Sequence, residues 1–544
     1  MPLNSIYRFR LSLIPGGLLS ILLLFLAFAI FFILFSNIDN KDFFSSIITS
    51  RIFDLVRFTV YQALLSTLFS ILLGTVLAWA LTHQNSFKSR SYLIALLSSS
   101  LILPTLIVVF GIITVLGQNG WLNRALLYLF DYSFENSIYG LSGILIAHVY
   151  LNASFVARSL LHVFESIPKE RYKLAKSLNF STIQRFRYIE FPAIKLSLRS
   201  ISSTIFLLCF TSFAIVLTLG GSPSYNTLEV AIYEAIKIDF DIPLALKLAF
   251  IQLSITIVLV FLSANFKVGI SDIKTSTQKI PWLETKKLRI LQISIILFSS
   301  ILFILPLVSI LIDGLGANFI KIFSDIVFIE SFITSLIIAS ISSILTVLFA
   351  LLISDTRRNF NINHRIKKTK FRSFINMIIA FSGNIYLAIP SLILGLGFFL
   401  LSLKFEAPLS YWAFGSVLCA NILMSLPFAL SILYPPMANV AQRYDKLSFS
   451  LNLKGSKRWL YCEWPYIKSS VLYVFALSFC LSLGDLGVIA LFGSDEISTL
   501  PWYLYNLMGS YQTKDAAGVA LILLILTLSV FIFLPRIFTR KKDV

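Results

Sequence analysis

The sequence predicts an all-α polytopic membrane protein of about twelve transmembrane helices, arranged as two tandem six-span halves. Three observations predict this class. The chain is 57% hydrophobic, with 50 Phe in 544 residues, and its mean hydropathy is +0.86. Its apolar residues gather into runs longer than the roughly 20 needed to cross a bilayer as a helix. Its most polar motif occurs twice, half a chain length apart. A backbone in lipid must satisfy its own hydrogen bonds, so such runs are helices. The alternating pattern of a membrane barrel is absent.

The runs fall at 13–35, 56–82, 92–117, 138–163, 197–219, 243–266, 288–312, 329–354, 374–402, 410–434, 469–492 and 515–537. The first follows Arg8 and Arg10 and has the outline of a signal peptide. It is too long for one, and no small-residue cleavage site follows Phe35, so it reads as a retained anchor. Cys209, Cys419, Cys462 and Cys480 have no CxxC spacing, fall mostly within spans, and read as buried, unreactive thiols.

A net charge of +19 raises the question of nucleic acid as a partner. The distribution answers it. With the N-terminus placed inside, the inside segments hold 35 Lys and Arg and the outside loops 8. Acidic residues show the reverse bias. This is the positive-inside pattern of a chain whose partner is lipid, with both termini cytoplasmic.

The repeat is read at an offset of 273. "KLAKSLN" (Lys173–Asn179) faces "KLSFSLN" (Lys446–Asn452), and "QRFRYIEFPAIK" (Gln184–Lys195) faces "KRWLYCEWPYIK" (Lys457–Lys468). Arg185/Arg458, Glu190/Glu463 and Pro192/Pro465 are among the matches. "TLEVAIY" (Thr227–Tyr233) faces "TLPWYLY" (Thr499–Tyr505) at 272, and "ILPTLIVVFGI" (Ile102–Ile112) pairs loosely with "AIPSLILGLGF" (Ala388–Phe398) at 286. The halves are therefore 1–266 and 288–544, joined by a basic linker at 267–287. Each half has an even number of spans, so the repeats share one orientation about an axis along the membrane normal, with a pathway expected at their interface.

Both heptapeptides sit in the longest inside loop of their half, at 165–195 and 438–468. Each loop is expected to fold as two short helices. Pro168 and Glu170 suit a helix start. Leu174 and Leu178 share a face at i, i+4, as do Leu447 and Leu451. Asn179 and Asn452 come where each helix should stop, and Asn tolerates the left-handed conformation that ends helices. Ser181 and Gln184 have capping-box spacing for a second helix. The product is an amphipathic helix presented to a partner; adsorption to anionic lipid or a purely topogenic basic loop explains the charge but not the repetition.

These segments resemble the cytoplasmic loop of type I ABC importer permeases. That family's motif runs Glu-Ala-Ala, three residues, Gly, nine residues, Ile, one residue, Leu-Pro. Here the frame gives Lys173-Leu174-Ala175, Asn179, Ile189 and Phe191-Pro192, then Lys446-Leu447-Ser448, Asn452, Cys462 and Trp464-Pro465. Lys replaces the family's Glu twice, and Asn replaces its Gly twice. Fused two-half permeases are typical of ferric-iron and thiamine importers. The stretches 101–123, 217–241 and 481–524 resemble the permeases for thiamine and its phosphates, and the likeness covers nearly the whole chain. The resemblance implies the type I permease fold in a bacterial inner membrane. It implies that one copy of the chain forms the whole pore, served by two copies of a cytoplasmic ABC ATPase and one periplasmic solute-binding protein. Lys173, Leu174, Ala175, Leu178, Asn179, Arg185 and Pro192, with Lys446, Leu447, Ser448, Leu451, Asn452, Arg458 and Pro465, would couple to the ATPase.

The chain has no G-x-x-x-x-G-K-[ST] phosphate loop, so ATP is expected on a partner and no cofactor on this chain. Hydrolase and metal motifs are also absent, which weighs against an integral-membrane enzyme. The histidines are scattered; His148 and His162 read as packing residues. A secondary transporter usually needs several intramembrane carboxylates or histidines for ion coupling, and one carboxylate is found: Asp485 in "LSLGDLGVIAL", whose counterpart at 272 is Phe213. Asp485 faces two readings, a carboxylate on a cation's passage or a cap on a broken helix between Gly484 and Gly487. Trp502, Tyr503 and Tyr505, nearby in sequence, are candidate stacking or entrance groups, and Phe213 is a passage candidate as the counterpart of Asp485.

Overall fold

The computed structural model describes residues 14–36, 49–264 and 284–537, apart from 85–86, 88, 101, 133–137, 222–223, 367–369, 407, 454 and 494–496. Arg8, Arg10 and linker residues 267–283 lie outside the described residues. Every described element is a helix. Eleven are long and apolar enough to cross a membrane, and a bent pair makes up to twelve.

The long spans stand close to where hydropathy places them. In the first half these are Ile14–Ser36, Ser50–His83, Leu141–Glu165 and Ile242–Ala264. In the second they are Lys286–Leu315, Ile326–Ile366, Leu409–Ser450 and Thr513–Phe533. The other four predicted spans are broken. The run at 92–117 divides into Arg90–Ser99 and Thr105–Leu116, and that at 374–402 into Lys370–Asn384 and Ser391–Lys404, bent by 95°. The breaks fall at Pro104 and Pro390, where the ring removes a donor and the backbone turns extended, with ψ of 130° and 149°. The fifth span of each half also breaks: Phe191–Phe210 resumes at Ala214–Leu219, and Trp464–Leu483 resumes at Gly487–Phe492.

The loops expected outside after these breaks are not simple loops. Each returns into the bundle as a helix, Leu228–Lys237 and Leu500–Gly509, whose inner faces are buried. Their first N–H groups are met from the second helix of the same half: Leu228 donates to Thr59 Oγ1 at 3.0 Å and Leu500 to Ser335 Oγ at 2.7 Å. This buries Glu229 completely, where it accepts from Gln252 Nε2 at 2.8 Å. Asp485 is therefore not the only acid inside the bundle. The position of Glu229 corresponds to Pro501 in the second half, so this pair belongs to the first half alone.

The duplication extends to backbone conformation. Among the described residues, six non-glycine residues have positive φ, and they form three pairs: Asp131/Glu406, Asn179/Asn452 and Phe240/Tyr511. Each half nevertheless gives its first helix to the other. Ile14–Ser36 packs on the second half, where Tyr386 donates to the Leu23 carbonyl at 2.6 Å. Lys286–Leu315 packs on the first, where Tyr150 donates to the Phe303 carbonyl at 2.8 Å, and also on Thr513–Phe533 of its own half, where Gly314 meets Ala517 and Leu521. One apolar core runs through both halves. Cys209 and Cys480 are buried as expected; Cys419 is exposed on its helix and Cys462 half-buried, so those two depart from the expectation.

Helices in lipid gain little from burying apolar surface against each other and associate by close backbone approach. Ser50–His83 and Leu141–Glu165 meet in this way at Gly74, where a Cβ would stand 2.5 Å from Val156 Cβ and 2.6 Å from the Ala153 carbonyl. Gly74→Val is expected to cost about 1–3 kcal/mol by overpacking, read as a lower melting temperature in detergent. Gly415→Ala, with nothing within 4 Å, is the control and should leave it unchanged.

Candidate functional site

The repeated polar segments lie at one end of the bundle. In the first half Leu141–Glu165 stops, Pro168 caps a new helix over Lys169–Ser177, and the chain turns at Asn179. Asn179 takes φ 51° and Asn452 φ 53°, the left-handed stop expected of them. The closing hydrogen bonds match: Phe180 N to Ala175 O at 3.0 Å and Leu453 N to Ser448 O at 2.9 Å, the Schellman pattern. Ser181 and Gln184 form the capping box. The second loop differs from expectation. Its first helix is continuous with the fourth span, Leu409–Ser450, because no proline stands where Pro168 interrupts the first half.

The two stretches present the same face. Leu174 and Leu178 are 61% and 58% exposed, and Leu447 and Leu451 are 52% and 61%. Lys173 is exposed beside them, and Lys446 lies in the last turns of its helix. Ala175 and Ser448 are buried, so each segment rests on the bundle through a small residue and offers leucines outward. Pro192 and Pro465 open the following helices and are exposed.

Arg185 and Arg458 depart from the outward role expected of them. Each is followed by a single π turn, Phe186–Glu190 and Trp459–Glu463. A regular α-helix sets residues five apart at about 140° around its axis; the wider turn brings Arg and Glu together. Arg185 Nε stands 2.9 Å from Glu190 Oε1, both side chains fully buried, and Arg458 Nε stands 3.2 Å from Glu463 Oε1. The second helix of each half supplies another base to the same oxygen. His83 Nε2 is 3.0 Å from Glu190 Oε1, and Arg358 Nη1 is 2.7 Å from Glu463 Oε1. Tyr172, turned inward from the repeated segment, has its phenol pushed well up by burial and by Glu190. Sequence reasoning missed these clusters. The repeated Arg and Glu were visible, but their facing required the π turn.

Among the passage candidates, Phe213 sits at the break of the fifth span and packs edge-on against Tyr233, with centroids 5.5 Å apart. Tyr233, on the returning helix Leu228–Lys237, lies within electrostatic reach of Tyr505 on the second half's returning helix. Tyr505 stacks on Trp502 at 5.6 Å. One aromatic pair thus stands on each half, and Lys237 Nζ reaches from the first half to the second with a 3.3 Å bond to the Gly493 carbonyl beside Trp502. Asp485 lies at the matching break. Its Oδ1 accepts from Gly487 N at 3.1 Å, as the cap reading expects, while Oδ2 is buried with no hydrogen-bond partner. Gly484 next to it packs against Pro104 of the first half. The first half makes the same break at Phe213 without a carboxylate, so capping does not cause the break. His148 is a buried packing residue held by Ser66 at 2.9 Å.

Comparison with known proteins fits this geometry. A family profile described as "Binding-protein-dependent transport system inner membrane component" matches twice, over residues 70–275 and 366–541, one match per half. The chain is 35% identical over 528 residues to the thiamine transport system permease protein ThiP of Escherichia coli (strain K12), covering 96% of each. It is 37% identical over 483 residues to ThiP of Haemophilus influenzae, covering 88% of each. ThiP of Brucella abortus (strain 2308) is 35% identical over 491 residues, 90% of this chain and 88% of that one. A family match in each half, with relatives alike over nearly the whole length, places the chain: it belongs to the binding-protein-dependent transport system inner membrane component family.

Proposed function

We propose that this chain is the complete transmembrane unit of an ATP-driven importer of thiamine or its phosphates. The observation that carries the substrate is the likeness to thiamine permeases over nearly the full length of both chains. The basic end of the bundle faces the cytoplasm with both termini. Two copies of an ABC ATPase dock there, one on Leu174/Leu178 and one on Leu447/Leu451, and use the ATP. One periplasmic solute-binding protein delivers substrate to the opposite end. Closure of the ATPase pair draws the two segments together and tips the halves from inward- to outward-open, a rigid-body switch.

The passage between the halves suits a cation. The thiazolium of thiamine is a fixed positive charge, which aromatic faces attract. Phe213, Tyr233, Tyr505 and Trp502 would line its way, and the unpartnered Oδ2 of Asp485 would balance its charge at the break. An isolated charge at that depth costs at least ~2.5 kcal/mol on insertion scales, a cost that a passage role explains.

Uptake of labelled thiamine by cells with and without the chain tests the substrate, with ferric iron as the competing solute. Thiamine uptake should depend on the chain and iron uptake should not; the reverse pattern would assign the chain to iron. Leu174→Asp with Leu447→Asp sets a charge on each docking face. The double variant should insert normally but lose its co-purified ATPase, and undiminished co-purification would refute the docking faces. Asp485→Asn keeps the Oδ1 bond and removes the charge. Thiamine uptake should fall about tenfold or more while ATPase association persists, the size of a lost 1.4 kcal/mol interaction. Unchanged uptake in Asp485→Asn, with loss in Asp485→Ala, would make the residue a cap alone.

A further inference from the structure

The two buried ionic clusters are built alike but closed differently. Each has two carboxylates and two basic side chains. In the second half Arg358, Arg458 and Glu463 are completed by Asp355, which stands 3.0 Å from Arg358 on the same helix and accepts from Asn359 at 3.1 Å. These four members all belong to the second half. In the first half the fourth member comes from the linker. Glu284 Oε1 stands 2.7 Å from Arg185 Nη1 and 3.2 Å from His83 Nδ1, and its side chain is 5% exposed.

Glu284 stands two residues before the start of Lys286–Leu315, the first helix of the second half, with the N-cap Thr285 between. A second bond ties the same places: Gln84 Nε2 donates to Gln292 Oε1 at 2.7 Å, with Gln292 fully buried. The groups facing His83 are Glu190 and Arg185 from the repeated segment, Glu284 from the linker, and Trp79 edge-on at 5.7 Å from its own helix. Arg185 therefore touches both the π turn below the first docking segment and the entry to the second half.

We propose that Glu284, with His83, is a positioning residue that keys the first docking segment to the second half, so that movement of that segment is passed directly to the helix Lys286–Leu315. The proposal rests on the ATP-driven import reading above for its transport consequence, but not for its geometry. A buried carboxylate in contact with two bases cannot leave them without cost, because removing one partner of such a set leaves uncompensated buried charge. The cluster therefore moves as a unit. At the corresponding place in the second half, the first helix of the other half arrives by packing, with Gly16 against Leu352 and Thr356.

Two measurements test this. The first uses the permease alone, by amide hydrogen exchange. Glu284→Gln should raise exchange at Phe186–Glu190 and at Lys286–Gln292 together, and leave Trp459–Glu463 unchanged. Exchange that rises at only one of the two sites, or at neither, overturns the proposal. The second uses the permease with its ATPase and binding protein in proteoliposomes, read as thiamine moved per ATP hydrolysed. Glu284→Gln should lower that ratio about fivefold or more with the ATPase still bound, the scale of a typical coupling energy. Glu284→Asp should regain most of it, and His83→Arg, which copies Arg358, should keep it. His83→Gln serves where Glu284→Gln does not assemble, and the same fall is expected. A wild-type ratio in whichever variant assembles overturns the proposal. A wild-type complex that hydrolyses ATP but moves no thiamine contradicts the substrate reading instead, and the exchange result still decides the tie.

Discussion

A carboxylate buried at the base of each half, Glu190 and Glu463, sets the terms for the rest of the structure. Neither can stay ionised in an apolar bundle unless cations meet it, and removing one partner of such a pair is strongly destabilising. Meeting it requires Arg185 and Arg458 to face inward across a π turn, and requires the second helix of each half to bring His83 or Arg358 to the same oxygen. Those demands fix the start of the fifth span, which begins at the next residue. In the first half they also fix the repeated segment just before, because Tyr172 is buried against Glu190. A polar, solvent-facing helix thereby acquires a rigid seat on a membrane bundle, as a lever needs. Pro192 and Pro465 then open the fifth spans where their missing donors cost nothing.

From that seat the structure runs to the passage through one continuous element in each half. The fifth span carries the ionic anchor at one end and breaks at Phe213 or Asp485 at the other, and the returning helix that follows brings Tyr233 or Tyr505 to the interface between halves. A tilt imposed at the base is therefore delivered where the halves meet. The exchange of first helices works in the same direction. Ile14–Ser36 lies on the second half, and Lys286–Leu315 lies between the first half and Thr513–Phe533 of its own, so both first helices join the two halves.

Much of this was legible in the sequence, for reasons that can be named. Span positions follow from apolar run length, since lipid leaves the backbone no other solution. Asn179, Asn452 and the Ser181–Gln184 box were readable because each acts through its own neighbours. What depended on distant partners was not readable. Pro104 and Pro390 were in plain view, but run length records composition and not direction, so two broken segments looked like continuous spans. Glu229 lay in a stretch polar enough to pass for a loop, and its burial depends on Gln252 and on Thr59 holding the returning helix. His83 stands 102 residues from Arg185 in sequence, and Glu284 follows a basic linker that gives no sign of its contact. The repeat of Arg and Glu at five residues was the one available signal, and it needed the π turn to become a contact.

The central claim is that the two repeated segments are levers that ATP draws together. The most direct test is the distance between spin labels on Ser177→Cys and Ser450→Cys, both exposed beside the segments, in a background with the four native cysteines replaced. With the partner ATPase bound, the distribution should shift to shorter distances when ATP is added under conditions that prevent hydrolysis, and return when ATP is removed. A distribution that does not change between the nucleotide-free and ATP-bound complexes would contradict the account.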